Sequence, residues 1–175
     1  SDSGNLLGGE TFTILEADST CVDAAAATAA AEGLVADGVA AIMGADCSGV
    51  TKAINASVAV PNGILMVSPS ATSPALSKVP DAGTFWRTAP SDAKGGQILA
   101  QIALDRGLTS VAITYENSDY GKGLSEVFAA AFAAGGGTVT TNDPHENGKG
   151  DYSAEVGVLA SAGGDALAVL GYLDQ

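Results

Sequence analysis

Histidine occurs once in these 175 residues, cysteine twice and tryptophan once, and only seven residues are basic against 20 acidic. Each shortage removes a class of function. Two sulfurs and one imidazole are a poor ligand set for a structural or catalytic zinc ion, so no metal is expected. A formal charge of −13 repels phosphate backbones, because nucleic-acid binding draws on clustered Lys and Arg. Four Phe, four Tyr and one Trp leave little aromatic surface for a large partner interface. The longest apolar stretch, residues 24–31, is alanine-rich and interrupted by Thr28. It is far short of the roughly 18 to 20 residues that a membrane span requires, so no direct membrane insertion is expected. The opening SDSGNLLGG has neither a basic start nor an apolar core, so a targeting segment is expected to be absent or already removed.

Enzyme signatures are missing as well. The sequence contains no G-x-x-x-x-G-K-[ST], and Gly121-Lys122-Gly123 lacks the rest of a phosphate-binding loop. There is no G-x-G-x-x-G after the first β-like run and no G-x-S-x-G elbow. The lone His145 falls in an expected loop at 142–150 with no evident nucleophile, which argues against a hydrolytic triad. No cofactor and no enzymatic activity are expected.

What is present is 46% hydrophobic residues, enough for a real core, in a pattern that switches between short β-like runs and longer helical stretches. Strands are expected at 11–15, 40–43, 64–67, 85–88, 110–114, 138–141 and 166–171. Helices are expected at 23–36, 49–60, 91–106, 120–134 and 153–161. Pro61 is expected to end the second helix, Ser91 to cap the third, and Gly107 and the run Gly135-Gly136-Gly137 to stop the third and fourth. Alternation of strand and helix implies parallel strands joined by crossovers, hence an α/β fold with covered sheets. Four of the six prolines fall between 68 and 92, in a long connection rich in Ser and Thr. Segments of that kind tend to carry function, and a boundary between two lobes, 1–90 and 91–175, is expected at its end.

Several residues invite two readings. Cys21 and Cys47 each follow a β-like run and can form a disulfide, worth about 3 kcal/mol on the chain-entropy model, or remain as two reduced, buried thiols. Ser48 opens a helix after a strand, where unpaired backbone N–H groups favour an anion, or it serves only as an N-cap. Ser68, Ser70, Thr72 and Ser73 crowd hydroxyls at the end of a strand, where open α/β sheets bind ligands, or form a polar turn. Tyr120 and Tyr172 also follow strands, as covers for a ligand or as rim residues. Trp86 is expected to pack, Arg87 to bind a carboxylate or pair with an acidic neighbour, and Asp92 to support a helix start.

Taken in order, ADSTC at 17–21, AIMGADCSG at 41–49, ILMVSPSATSPAL at 64–76 and FWRTAPSD at 85–92 resemble the branched-chain amino-acid-binding (Leu/Ile/Val-binding) family. VAITYENSDYGKGL at 111–124, GDYSAEV at 150–156 and DALAVLGY at 165–172 continue the resemblance over nearly the whole chain. These are the type I periplasmic solute-binding proteins of ABC transporters. The resemblance implies parallel sheets flanked by helices in two lobes, a Cys21–Cys47 disulfide, and a bound amino acid. Ser48 and the Thr72 hydroxyl match positions that hold its carboxylate and ammonium, and Ser70 one that offers its carbonyl to the ammonium. Tyr120 and Tyr172 match residues of the second lobe that close over the ligand.

The sequence also departs from the family. The family's opening strand and helix have no counterpart before residue 11, its members run to about twice this length, and an acidic residue of the ammonium site would lie beyond 175. Ser70 stands where Ala is frequent. The chain thus resembles a fragment of each lobe, incomplete in its fold. The function implied is extracytoplasmic, periplasmic capture of an amino acid or similar small zwitterion or carboxylate, and its delivery to the membrane permease of an ABC transporter. Two alternatives are a ligand-sensing receptor domain of the same fold and, from another class, a small hydrolase-like α/β enzyme.

Overall fold

The computed structural model describes residues 12–172, which form two three-stranded parallel sheets flanked by helices. The first sheet has the order β1 (Ala41–Met43), β2 (Leu65–Ser68), β3 (Phe85–Arg87). Its register aligns Ile42, Met66 and Phe85 in one row, and all three are buried. Side chains alternate across a strand, so this row makes one face of the sheet. Two helices cover that face. The side chain of Asp23 caps α1 (Ala24–Ala36) by accepting the N–H groups of Ala25 and Ala26, and Ala27 and Ala31, one turn apart, are buried. Their small side chains let the helix lie close. The second helix begins as α2 (Ser48–Ile54), widens into a π-helical turn at Asn55–Ala59 and finishes as α3 (Val60–Asn62). Val50, Ile54 and Val58 join Met66 in the core, each burial contributing about 1.5 to 3 kcal/mol.

The second sheet has the order β5 (Thr138–His145), β4 (Ser110–Glu116), β6 (Ala166–Leu170). The central strand β4 is buried on both faces at Val111, Ala112, Ile113 and Thr114. A run buried on both sides is what a parallel sheet between helical layers demands. Phe128 and Phe132 of α5 (Asp119–Ala134) stack at 5.9 Å and pack with Val111 and Ile113. Ala100 of α4 (Asp92–Asp105) completes that core, and α6 (Ser153–Ala162) lies between β5 and β6 in sequence. Ser91 caps α4 by accepting the N–H of Ala93. No described helix is long and apolar enough to cross a membrane.

Parts of the scaffold depart from the sequence expectations. Of the first expected strand, Thr11 lies outside the described residues. Phe12 and Ile14 are 74% and 81% exposed and in no strand, since no described strand pairs with them. Pro61 does not end the second helix. It lies in α3, and Gly63, in the left-handed region at φ 63°, ends the run. Pro61 lacks the N–H that its turn would use. The π turn just before it changes the pairing, with Val60 N–H bonding Asn55 C=O, and the Asn62 side chain donates to the Val58 carbonyl at 2.8 Å. Residues 85–88, expected as a strand, form one only over Phe85–Arg87, where β3 completes the first sheet. Trp86 of β3 does not pack in the core. It is 63% exposed, on the sheet face opposite the helices with Met43 and Val67, and its indole N–H donates to the Gly83 carbonyl.

Candidate functional site

In both sheets the strands' C-terminal ends point toward one cleft. In open α/β sheets, the loops leaving those ends bind ligands. From the first sheet come the loop after β1, the start of α2 and the loop after β2. From the second come the loop after β4, the start of α5 and the segment after β6. Ser48, Ser70 and Thr72 from the first and Tyr120 and Tyr172 from the second line a single cavity of about 650 Å³. That volume suits a small molecule. Asp46, Asp92, Glu116 and Asn147 line it too. It adjoins a broader space of about 920 Å³ that reaches Lys52, Asp119 and Glu146.

The hydroxyl-rich loop after β2 is held rigid from beneath. Ser68, fully buried, donates its hydroxyl to the Ala45 carbonyl at 2.6 Å and accepts the Ala71 N–H at 3.1 Å. Thr51 donates to the same carbonyl at 3.0 Å, tying α2 to the end of β1. The Arg87 guanidinium donates to the carbonyls of Ala71 and Ser73 and to the Ser77 hydroxyl, at 3.3, 2.9 and 2.6 Å. Arg87 therefore pins the loop. Among the described residues it forms no close ion pair, which was one of the two roles the sequence offered for it. Its burial lowers its pKa, partly offset by the nearby charge of Asp92.

Ser48 does not cap a helix with its side chain. Cys47 is the N-cap and makes no side-chain capping bond, while Ser48 is the first helical residue. Its buried hydroxyl accepts the Ser73 N–H at 3.1 Å, which leaves its proton to donate. Ser70, exposed to the cleft, donates to the Asp46 carbonyl at 3.0 Å. The Asp92 N–H bonds the Thr72 carbonyl at 2.9 Å, so the start of α4 is tied to the loop. Burial raises the Asp92 pKa, opposed by a hydrogen bond with the Thr72 side chain and by the charge of Arg87. Asp92 thus does more than support a helix start: it lines the cleft and orients Thr72.

Across the cleft, the Tyr120 and Tyr172 rings stack at 5.2 Å and 21°. The Tyr172 hydroxyl reaches Cys47 Sγ at 3.9 Å, touching the opposite wall. Burial raises the Tyr120 pKa, and the charges of Asp92 and Glu116 raise it further. Gly121 has no substitute here: a Cβ would stand 2.3 Å from the Glu116 carbonyl oxygen. A second bridge between the walls is the ion pair of Lys52 on α2 with Asp119 on α5, at 3.0 Å. Both partners are partly exposed, so the pair contributes at most about 1 kcal/mol. Cys21 and Cys47 form a disulfide with Cα atoms 5.4 Å apart, and both border the cleft.

Two positions were misjudged from sequence. His145 was expected in a loop, but β5 runs on to it, and it is buried with its Nδ1 2.8 Å from the Thr114 hydroxyl. Parallel pairing with β4 carries the strand four residues further than its β-branched start. Glu116 was not singled out at all. It is the last residue of β4, directly before Asn117-Ser118-Asp119-Tyr120, and its strand-end position was the available signal.

Residues 1–159 match the family described as the receptor family ligand binding region. The chain is 35% identical over 144 residues to Leu/Ile/Val-binding protein homolog 3 of Brucella melitensis, covering 82% of this chain and 39% of that protein. It is 32% identical over 170 residues to Leu/Ile/Val-binding protein BraC3 of Rhizobium johnstonii, covering 97% of this chain and 45% of that one. The chain therefore spans under half the length of these curated relatives. Among solved structures, leucine binding protein LivK from Thermotoga maritima superposes with a TM-score of 0.78 at 29% identity, over 86% of this chain and 43% of that one. The chain belongs to the receptor family ligand binding region, and its relatives there are Leu/Ile/Val-binding proteins.

Proposed function

We propose that the protein is the substrate-binding component of an ABC transporter, working outside the cytoplasm and handing its solute to a membrane permease without chemical change. The ligand is an amino acid, branched-chain or a similar small zwitterion, held between two lobes, 1–90 and 91–175 in this chain. The observation that carries this reading is the convergence of Ser48, Ser70 and Thr72 from one sheet with Tyr120 and Tyr172 from the other on one cavity. Serine and threonine hydroxyls and loop carbonyls supply donors for a carboxylate and acceptors for an ammonium. The tyrosine rings supply a cover that can leave when the lobes part. The relatives' names, which are those of Leu/Ile/Val-binding proteins, support the solute class.

Titration calorimetry of the full-length protein against the common amino acids tests the proposal. Binding of at least one is expected, and silence across amino acids and related small carboxylates would overturn it. Thr72→Ala is expected to weaken binding about tenfold, the loss of a hydrogen bond to a charged group. Ser125→Ala serves as the comparison. Its hydroxyl bonds the Lys122 carbonyl within α5, away from the cavity, and equal effects of the two substitutions would exclude the assigned site.

A further inference from the structure

Among the described residues, every charged side chain that lines the 650 Å³ cavity is acidic: Asp46, Asp92 and Glu116. The adjoining space adds Asp119 and Glu146 and a single cation, Lys52, already paired with Asp119. A zwitterion is neutral overall, so one carboxyl group facing its ammonium would suffice. The surplus of negative charge calls for another cation.

Glu116 is the one buried residue among these five. It is 94% buried by residue area, with 6% exposed, yet its Oε2 has no hydrogen-bond partner among the described residues. Asp92 Oδ2 is likewise buried and without a partner. Buried carboxyl oxygens in folded proteins are normally hydrogen-bonded, and one left unpaired at a cleft marks where a ligand donor is missing. The two groups come from different sheets, Asp92 at the start of α4 and Glu116 at the end of β4. Both are close enough to Tyr120 for their charges to act on its phenol. The stacked rings of Tyr120 and Tyr172 add π faces, which attract an ammonium or guanidinium group.

We propose that the ligand carries a second positive charge: it is a basic amino acid whose distal ammonium or guanidinium is received by Glu116, with Asp92 and the Tyr120 ring beside it. This deepens the amino-acid reading of the cleft and rests on it. A purely aliphatic side chain would leave both carboxyl oxygens buried without a donor, a standing cost that a basic side chain removes.

The test compares L-lysine with L-norleucine, which has the same carbon skeleton without the terminal amine, together with L-leucine, by calorimetry on the full-length protein. Lysine is expected to bind at least about tenfold more tightly than norleucine, as for one charge-assisted hydrogen bond. Glu116→Gln, which keeps the shape of the side chain, is expected to bring the lysine-to-norleucine ratio to within about threefold of unity. If leucine or norleucine binds as well as lysine or better, the inference fails while the amino-acid reading stands. If no amino acid binds, both fail. A ratio unchanged by Glu116→Gln assigns the second charge elsewhere and overturns the assignment to Glu116. Should that variant not fold by circular dichroism, Asp92→Asn replaces it, and an unchanged ratio there overturns the proposal equally.

Discussion

Replacing both Cys21 and Cys47 by serine isolates one contribution to stability. The bridge joins residues 26 apart in sequence and encloses α1 and β1. On the chain-entropy account, opening a loop of that size frees the unfolded chain by about 3.5 kcal/mol at 25 °C. Little else should change, because Cys21 is exposed and Cys47 only half-buried, so the substitutions leave no core cavity. For a chain of this size the loss corresponds to a fall in melting temperature of about 7 to 14 °C. Urea and thermal unfolding of the full-length protein, oxidised, reduced and doubly substituted, measure it. Reduced wild type and the double variant should coincide. A second effect follows from position. Residues 12–20 are in no helix or strand, and the bridge anchors that segment to the N-cap of α2 at the edge of the cleft. Losing it should therefore weaken ligand binding as well as stability. A stability change below about 1 kcal/mol would refute the loop-entropy argument for this bridge.

Ser68→Ala is expected to cost about 1 to 3 kcal/mol in urea unfolding, because it strands the buried Ala71 N–H that the hydroxyl now accepts. The Ala45 carbonyl would keep its bond from Thr51, so a loss below about 0.5 kcal/mol would mean that the loop reorganises around the gap. Asp165 should supply an acid-sensitive part of the fold. Its carboxylate accepts the Thr109 N–H, the Thr109 hydroxyl and the Ser110 N–H at the start of β4, and these bonds hold its pKa below the ordinary value, the Thr109 N–H contributing most. A depressed carboxylate contributes stability that is present above its unfolded pKa of about 4 and is lost as pH falls through the lower folded value. Thermal midpoints from pH 7 to pH 3 should therefore show Asp165→Asn below wild type at neutral pH, with the gap closing in acid. A gap independent of pH would exclude the linkage.

Much of the scaffold was legible in the sequence because it is written in local chemistry. The apolar periods of 2 and 3.6 located five of the six strands of the sheets within a few residues, and β3 as an isolated FWR run. Ser91 and the glycine after Arg106 marked the ends of α4 by the capping bonds that such residues make. The ordered motifs pointed to the family, and through that resemblance to the disulfide that the cysteine pair alone left open. Where the sequence misled, the surrounding structure had overridden a local signal or failed to support it. Residues 12–15 alternate like a strand but have no described strand to pair with, His145 was drawn into β5 by the length of β4, and Pro61 was absorbed by the π turn that ends two residues before it.

Only the tertiary structure decided that residues as far apart as Ser48 and Tyr172 share one cavity, that Arg87 spends its donors on the loop it supports, and that one carboxyl oxygen each of Glu116 and Asp92 is buried without a hydrogen-bond partner among the described residues. A single sequence records which groups the chain carries and their local periodicity. Whether a carboxyl group is paired or orphaned depends on which strand ends come together, and crossover packing of the two sheets sets that.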